Sequence, residues 1–169
     1  TMMGLGIWSM HFTGMLAYRL PFPAHHGLWL TLASLLPAVV AGLIAVAAMA
    51  RRGLSTTRKI IAGCLLGLGI ATMHYTGMAA MEAPASMRFA PIPLLLSLVI
   101  SLPFGIASIY SFHASRHLPR VQGIRLGSLL AAVFAALAIC SMHYSAMMAV
   151  YFLPDPGWQA TAPMAHHGS

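Results

Sequence analysis

Met73-His74-Tyr75-Thr76-Gly77-Met78 is the stretch that decides the reading of this chain, because it occurs three times. It returns as Met10-His11-Phe12-Thr13-Gly14-Met15 and as Met142-His143-Tyr144-Ser145-Ala146-Met147. Each copy lies inside a long apolar run. A histidine is costly in hydrocarbon, and ionisable residues within membrane segments are functional candidates by default. Repetition of the same costly feature marks it as something built for a purpose.

The flanks of the phrase repeat too. Gly4-Leu5-Gly6-Ile7-Trp8-Ser9 aligns with Gly67-Leu68-Gly69-Ile70-Ala71-Thr72 and with Ala136-Leu137-Ala138-Ile139-Cys140-Ser141, and Ala17, Ala80 and Ala149 fall at equivalent places downstream. Each unit consists of a motif helix, an outer loop, a return helix and a basic inner loop, giving repeats of approximately 1–59, 60–125 and 126–169 within one domain spanning residues 1–169. Repeated hydropathy units of this kind are common in membrane folds. A second echo joins Ala24-His25-His26-Gly27 to Ala165-His166-His167-Gly168. The first of these leads directly into the Leu28 run, and the chain starts within a helix at Thr1. The expectation is therefore a piece of a longer membrane protein, cut at both ends.

Composition identifies the solvent. Of the 169 residues, 59% are apolar and 7% charged, with a mean hydropathy of +0.82. Soluble domains carry about 25% charged residues. Five apolar runs, at 1–18, 28–50, 60–81, 92–112 and 126–151, approach or exceed the ~20 residues that span a bilayer. A cleaved signal peptide does not account for five runs. The predicted fold is all-α, a polytopic transmembrane bundle of about five helices built from two-helix units.

The net charge of +7 is a topology signal and does not point to nucleic acid. Arg51, Arg52, Arg58 and Lys59 fill one short loop, and Arg116, Arg120 and Arg125 fill another. Loops rich in Lys and Arg face the cytoplasm. Helices 1, 3 and 5 then run outward and helices 2 and 4 return. His74 lies seven residues before Met81, about 10 Å below the outer end of its helix at 1.5 Å per residue. His11 and His143 lie at similar depths below Arg19 and Pro154. One layer in the outer half of the membrane is expected to hold all three.

Residues four apart share a helix face, so His11 pairs with Met15, His74 with Met78 and His143 with Met147; Met81 extends the second stripe. Gly14, Gly77 and Ala146, three residues after each histidine, permit close helix approach. Neutral imidazole suits copper, zinc and iron, and thioether sulfur favours Cu(I). The chain has only two acidic residues, which argues against calcium, magnesium and manganese. Zinc seldom recruits methionine. Copper is the expected metal, with haem iron between axial His or Met ligands the alternative.

The candidate ligands are His11, Met15, His74, Met78, His143 and Met147. Met10, Met73, Met81, Met142 and Cys140 are additional candidates, although Met10, Met73 and Met142 point about 100° from their histidines and suit core packing. His25, His26, His166, His167 and Glu82 are outer-loop candidates for metal capture or support; solvated loop side chains are the plain alternative. Thr13, Thr76 and Ser145 suit bonds to their own helix backbone, and the rings of Phe12, Tyr75 and Tyr144 an interfacial aromatic belt. Cys64 lies on the cytoplasmic side, away from the site. Phosphate loops, carboxylate pairs and nucleophile triads are absent from the sequence, so catalysis is not expected of these residues.

The three Met-His-Tyr/Phe-Thr/Ser phrases on alternate helices resemble the MHYT domain, a membrane sensor module of bacteria. The resemblance covers nearly the whole chain; Ser145, Ala146 and Phe12 are its mild departures. It implies seven helices, so one would be lacking at each end. It also implies copper held by Met and His residues, sensing of oxygen, carbon monoxide or nitric oxide, and fusion to cytoplasmic domains that make or break cyclic di-GMP. The expected location is the bacterial inner membrane with the motifs toward the periplasm. Expected partners are the bilayer, a gas ligand and an output domain of the same polypeptide, with a second copy as a further candidate. Copper transport and a haem- or quinone-linked redox role are the competing functions, and a plain membrane anchor is the bland one.

Overall fold

A computed structural model describes residues 2–17, 25–82, 85–114, 119–121 and 123–154. Among these described residues five helices carry the fold: α1 (Met2–Ala17), α2 (Leu28–Ala50), α3 (Thr56–Ala79), α4 (Pro91–Ala114) and α5 (Leu126–Ala149). Helices α2 to α5, of 23 or 24 residues each, are long and apolar enough to cross a membrane. Their bounds match the apolar runs of the sequence to within a few residues. The chain is a multi-pass membrane protein.

Side-chain size is distributed as lipid requires. Small residues face inward, among them Ser34, Ala38, Ala41 and Ala45 on α2 and Ser97, Ser101 and Ser108 on α4. Large ones face outward, including Leu36, Val40 and Leu43 of α2 and Ile92, Leu95 and Val99 of α4. Lipid tails are as apolar as leucine, so helices associate by close packing of small residues and by hydrogen bonds. The buried serines are satisfied within the bundle: Ser34 donates to the Thr31 carbonyl at 2.7 Å, Ser101 to Leu98 at 2.9 Å and Ser108 to Ala131 of α5 at 2.8 Å. Trp8 of α1 donates to Ser34 Oγ at 3.1 Å, fastening α1 to α2.

Return helix α2 packs on both α1 and α3, and α4 on both α3 and α5. The α3–α4 crossing is tightest at two glycines. A methyl at Gly105 would lie 2.5 Å from the Gly63 carbonyl oxygen, and one at Gly63 would enter the backbone of Ile106. Pro91 opens α4, where a missing N–H costs nothing; Pro37 and Pro103 lie within α2 and α4.

Among the described residues, six short strands form three antiparallel pairs, a feature the apolar pattern did not announce. β1 (His25–His26) pairs with β2 (Met81–Glu82), β3 (Ala85–Phe89) with β6 (Val150–Pro154), and β4 (Arg120–Val121) with β5 (Ile124–Arg125). In β3·β6 the register runs from Ala85↔Pro154 to Phe89↔Val150. The first two pairs lie beyond the ends of the motif helices, and β4·β5 lies at the opposite end. Two backbone bonds tie the end of a motif helix to the start of a return helix: Gly27 N–H donates to Ala80 at 2.7 Å and Ala90 N–H to Ala149 at 2.8 Å.

Gly63→Ala is expected to force α3 and α4 apart and to cost about 1–3 kcal/mol, as overpacking does. A lowered midpoint of thermal unfolding in detergent checks it, with Ala62→Gly as the control that leaves the crossing uncrowded.

Candidate metal centre

Three motif helices bring His11, His74 and His143 together although they are 63 and 69 residues apart in sequence. The residues are 1%, 0% and 4% exposed. His74 Nδ1 stands 3.1 Å from His11 Nδ1 and 3.3 Å from His143 Nδ1. Ring centroids are 4.8, 5.2 and 5.4 Å apart, with interplanar angles of 83°, 85° and 81°. The rings thus meet edge to face around one point. One nitrogen from each lies within 4.8 Å of the other two, close enough to hold one metal ion.

The small residue three positions after a histidine is what lets the rings meet. A methyl at Gly14 would lie 2.7 Å from His143 Nε2, and one at Gly77 would enter His11 Nε2. Each glycine therefore seats the imidazole of a neighbouring motif. The sequence marked these positions for helix approach; their contact with imidazole is a tertiary fact.

One turn outward, Met15, Met78 and Met147 form a second buried layer with Met81. Met87 and Phe89 of β3 and Val150 and Phe152 of β6 pack against it. The strand pair is a lid over the thioethers, made of residues that no motif singled out. Alternating apolar residues at 87 and 89 and at 150 and 152 were the available signal, and five residues of alternation are a weak one beside five long helices.

The remaining candidates spread out. Met73 and Met142 belong to the main core with Ile7, Leu66 and Ile70. Met10 is half-buried, as is the free thiol of Cys140, which is not part of the histidine group. Cys64 is free and half-buried as well. His26 Nε2 is buried without a hydrogen-bond partner; its ring lies 5.6 Å from that of Phe12, which in turn lies 4.8 Å from that of His11, and it is not part of the histidine group. His25 and Glu82 face each other as backbone partners in β1·β2, and their side chains lie outside the described residues, as do His166 and His167.

The aromatic positions diverge as well. Tyr75 is half-buried and shares a 2.7 Å hydrogen bond with Ser97 of α4, so its hydroxyl braces a return helix and does not orient an imidazole. Tyr144 is 69% exposed. Thr76 and Ser145 donate to the carbonyls of Thr72 and Ser141 at 2.7 and 2.6 Å, as their type predicts.

A multi-pass bundle of two-helix repeats that gathers one histidine from each repeat defines a membrane-embedded signalling domain. The chain belongs to the MHYT family, described as a bacterial signalling protein N-terminal repeat, which matches residues 4–63 and 67–127. Among its relatives is the bifunctional diguanylate cyclase/cyclic di-GMP phosphodiesterase MucR of Pseudomonas aeruginosa, 41% identical over 151 residues, covering 89% of this chain and 22% of the relative. The cyclic di-GMP phosphodiesterase NbdA of the same organism is 37% identical over 153 residues, covering 88% and 19%. The signaling protein YkoW of Bacillus subtilis is 29% identical over 159 residues, covering 90% and 19%. The chain thus spans about a fifth of the length of these relatives. No solved structure matches it.

Gly77→Ala is expected to lower stability by about 1–3 kcal/mol because its methyl occupies the seat of His11. Combining it with His11→Ala is expected to recover part of that loss. A double-mutant cycle reads the coupling, for which contacting residues give about 0.5–3 kcal/mol; strict additivity would remove the seat.

Proposed function

We propose that this domain holds a copper ion at His11, His74 and His143, senses a diatomic gas (oxygen, carbon monoxide or nitric oxide) or redox state there, and signals to a cytoplasmic output domain in the same polypeptide. The observation that carries the reading is the convergence of three buried Nδ1 atoms at 3.1 and 3.3 Å.

Proton counting supports a cation. A neutral imidazole has one N–H and one lone pair. Any tautomer assignment makes the single Nδ1 of His74 serve two neighbours at once. An ion at the centre takes all three Nδ1 lone pairs. With metal–nitrogen bonds of ~2.0 Å, tetrahedral or trigonal ligands lie about 3.3–3.5 Å apart, close to the spacing of these nitrogens.

Ligand chemistry favours copper. The next layer outward is four thioethers, Met15, Met78, Met81 and Met147, which are soft donors suited to Cu(I). Copper bound by these residues would supply a one-electron couple and take a small ligand. The chain's own residues place the nitrogens, and the lid of β3 and β6 packs on the thioether layer. Haem is disfavoured because imidazoles in contact leave no slot for a flat macrocycle. Transport is disfavoured because Ile7 and Ile70, one turn inward of their histidines, are buried in an aliphatic core with Leu66.

A signal follows if the occupied centre prefers one packing of α1, α3 and α5 over another. The relatives' cyclic di-GMP activities make a cyclase or phosphodiesterase the output expected of the whole protein, while these residues serve sensing and not catalysis. The basic residues at the α2–α3 turn and near β4·β5 support an output on the cytoplasmic side of the bacterial inner membrane.

Elemental analysis of protein purified under copper-replete conditions tests the reading. Near-stoichiometric copper is expected in the wild type and its loss in the variant H11A/H74A/H143A. Replacing Met15, Met78 and Met147 by Leu is expected to weaken Cu(I) more than Cu(II). A folded wild type without copper overturns the proposal, and iron with a Soret band moves the assignment to haem.

A further inference from the structure

The basic end of the bundle carries charge that the chain itself does not balance. Arg51, Arg52, Arg58 and Lys59 crowd the turn between α2 and α3, where Gly53 takes a φ of +71°. The chain has two acidic residues, Glu82 in β2 and Asp155 directly after β6 in sequence, and neither belongs to this turn. Like charges meet again between α4 and α5, where Arg120 and Arg125 are backbone partners in β4·β5. Like charges placed directly opposite are unfavourable, so both connections call for anions from outside the chain.

The two sides of the α3 start are used differently. Lys59 is half-buried and turns to α4, where its Nζ stands 5.3 Å from the centre of the Tyr110 ring. Arg58 is exposed and lies on the α2 side, where with Arg51 it lines a groove of about 370 Å³. Two stripes build this groove. The α2 side contributes Ile44, Ala47, Ala48 and Arg51, and the α3 side Arg58, Ile61, Ala62 and Leu65. Both stripes are spaced i, i+3, i+4 and i+7, the spacing of one helix face.

Because α2 and α3 run antiparallel through this turn, the two arginines stand at the same end of the groove. The apolar residues lead from them into the membrane-spanning segments for about 10 Å, seven residues at 1.5 Å each. Ala48 and Ala62 are buried and form a floor, while the exposed side chains of Ile61 and Leu65 give apolar walls. The groove is thus cationic at its mouth and greasy along its length.

An occupant that suits both parts has an anionic head at the helix ends and an apolar tail within the membrane. A second copy of the same face would bring arginine against arginine. A water-soluble domain offers carboxylates and nothing for the apolar stripes. An anionic phospholipid offers both, and basic pockets between membrane helices bind such headgroups.

We propose that the α2/α3 groove binds an anionic phospholipid of the leaflet that borders the α2–α3 turn. Arg51 and Arg58 hold its phosphate, and an acyl chain lies along Ala47, Ala48 and Ala62. The site is separate from the histidines and independent of what they hold. It anchors to the leaflet the inner end of α3, the helix that carries His74.

Native mass spectrometry of the full-length protein tests the proposal, with phosphatidylglycerol and phosphatidylcholine of the same acyl chains added to the detergent-purified sample. Preferred binding of phosphatidylglycerol is expected, weakened about tenfold or more in R51Q/R58Q. The variant R52Q/R120Q removes as much charge outside the groove and is expected to bind as the wild type does. Ala47→Phe fills the groove with both arginines in place and is expected to lose the lipid as well. Equal losses in the two arginine pairs would show a diffuse surface potential. Binding kept in Ala47→Phe would show a site for a headgroup or free phosphate alone, and equal binding of the two lipids would show ordinary bilayer contact. Each of these results overturns the proposal. All five substituted side chains are exposed, and thermal unfolding gives an independent reading. Phosphatidylglycerol is expected to raise the midpoint of the wild type and of R52Q/R120Q, as a ligand of the folded state does, and to leave that of R51Q/R58Q where it was; an equal rise in all three overturns it too.

Discussion

Three imidazoles meeting through their Nδ1 atoms inside hydrocarbon are the constraint on which the structure depends. A polar nitrogen in a dry interior must find a partner or cost several kcal/mol. Here the nearest partner of each is another imidazole, on another helix. That demands three helix axes closer together than large side chains allow. Gly14 and Gly77 answer the demand by seating His143 and His11 against bare backbone. Histidine and the small residue after it are therefore one device.

Everything beyond the histidines is layered on that device. Toward the outer end come the thioethers of Met15, Met78, Met81 and Met147, then the strand pair β3·β6. Toward the inner end come Ile7, Leu66 and Ile70, an aliphatic floor. The candidate site has a floor, a waist of three histidines and a lid, and a cavity of about 510 Å³ lined by Gly14, Ala17, His143, Tyr144 and Met147 opens beside it. The return helices supply stiffness, with Ser97 on Tyr75 and Ser34 on Trp8 as cross-braces. The waist is shared by three helices, and packed interfaces of this kind shift between discrete arrangements instead of deforming gradually.

The repeat also explains why the fold is legible and where it is not. Apolar runs at 28–50, 60–81 and 92–112, within a few residues of α2, α3 and α4, emerge from hydropathy because a bilayer admits only segments that satisfy their own backbone. The triple phrase marks the site because histidine is costly there. Strands β3 and β6 escape such reading: Ala85–Phe89 and Val150–Pro154 are short, lie beyond the helices and pair across 61 to 69 residues of sequence. The role of Tyr75 escapes it as well, since nothing local says that its hydroxyl meets Ser97 and not a histidine.

By itself the sequence determined a membrane-spanning bundle, its repeated phrase and a set of candidate residues, because composition and periodicity act locally through burial in lipid. Only tertiary structure decided that the three histidines share one point, that the methionines divide into a layer beside them and a core below, and that glycines seat the rings. Those outcomes depend on how far helix axes approach one another. Approach distance is set jointly by every small residue along an interface, and no single stretch of sequence carries it.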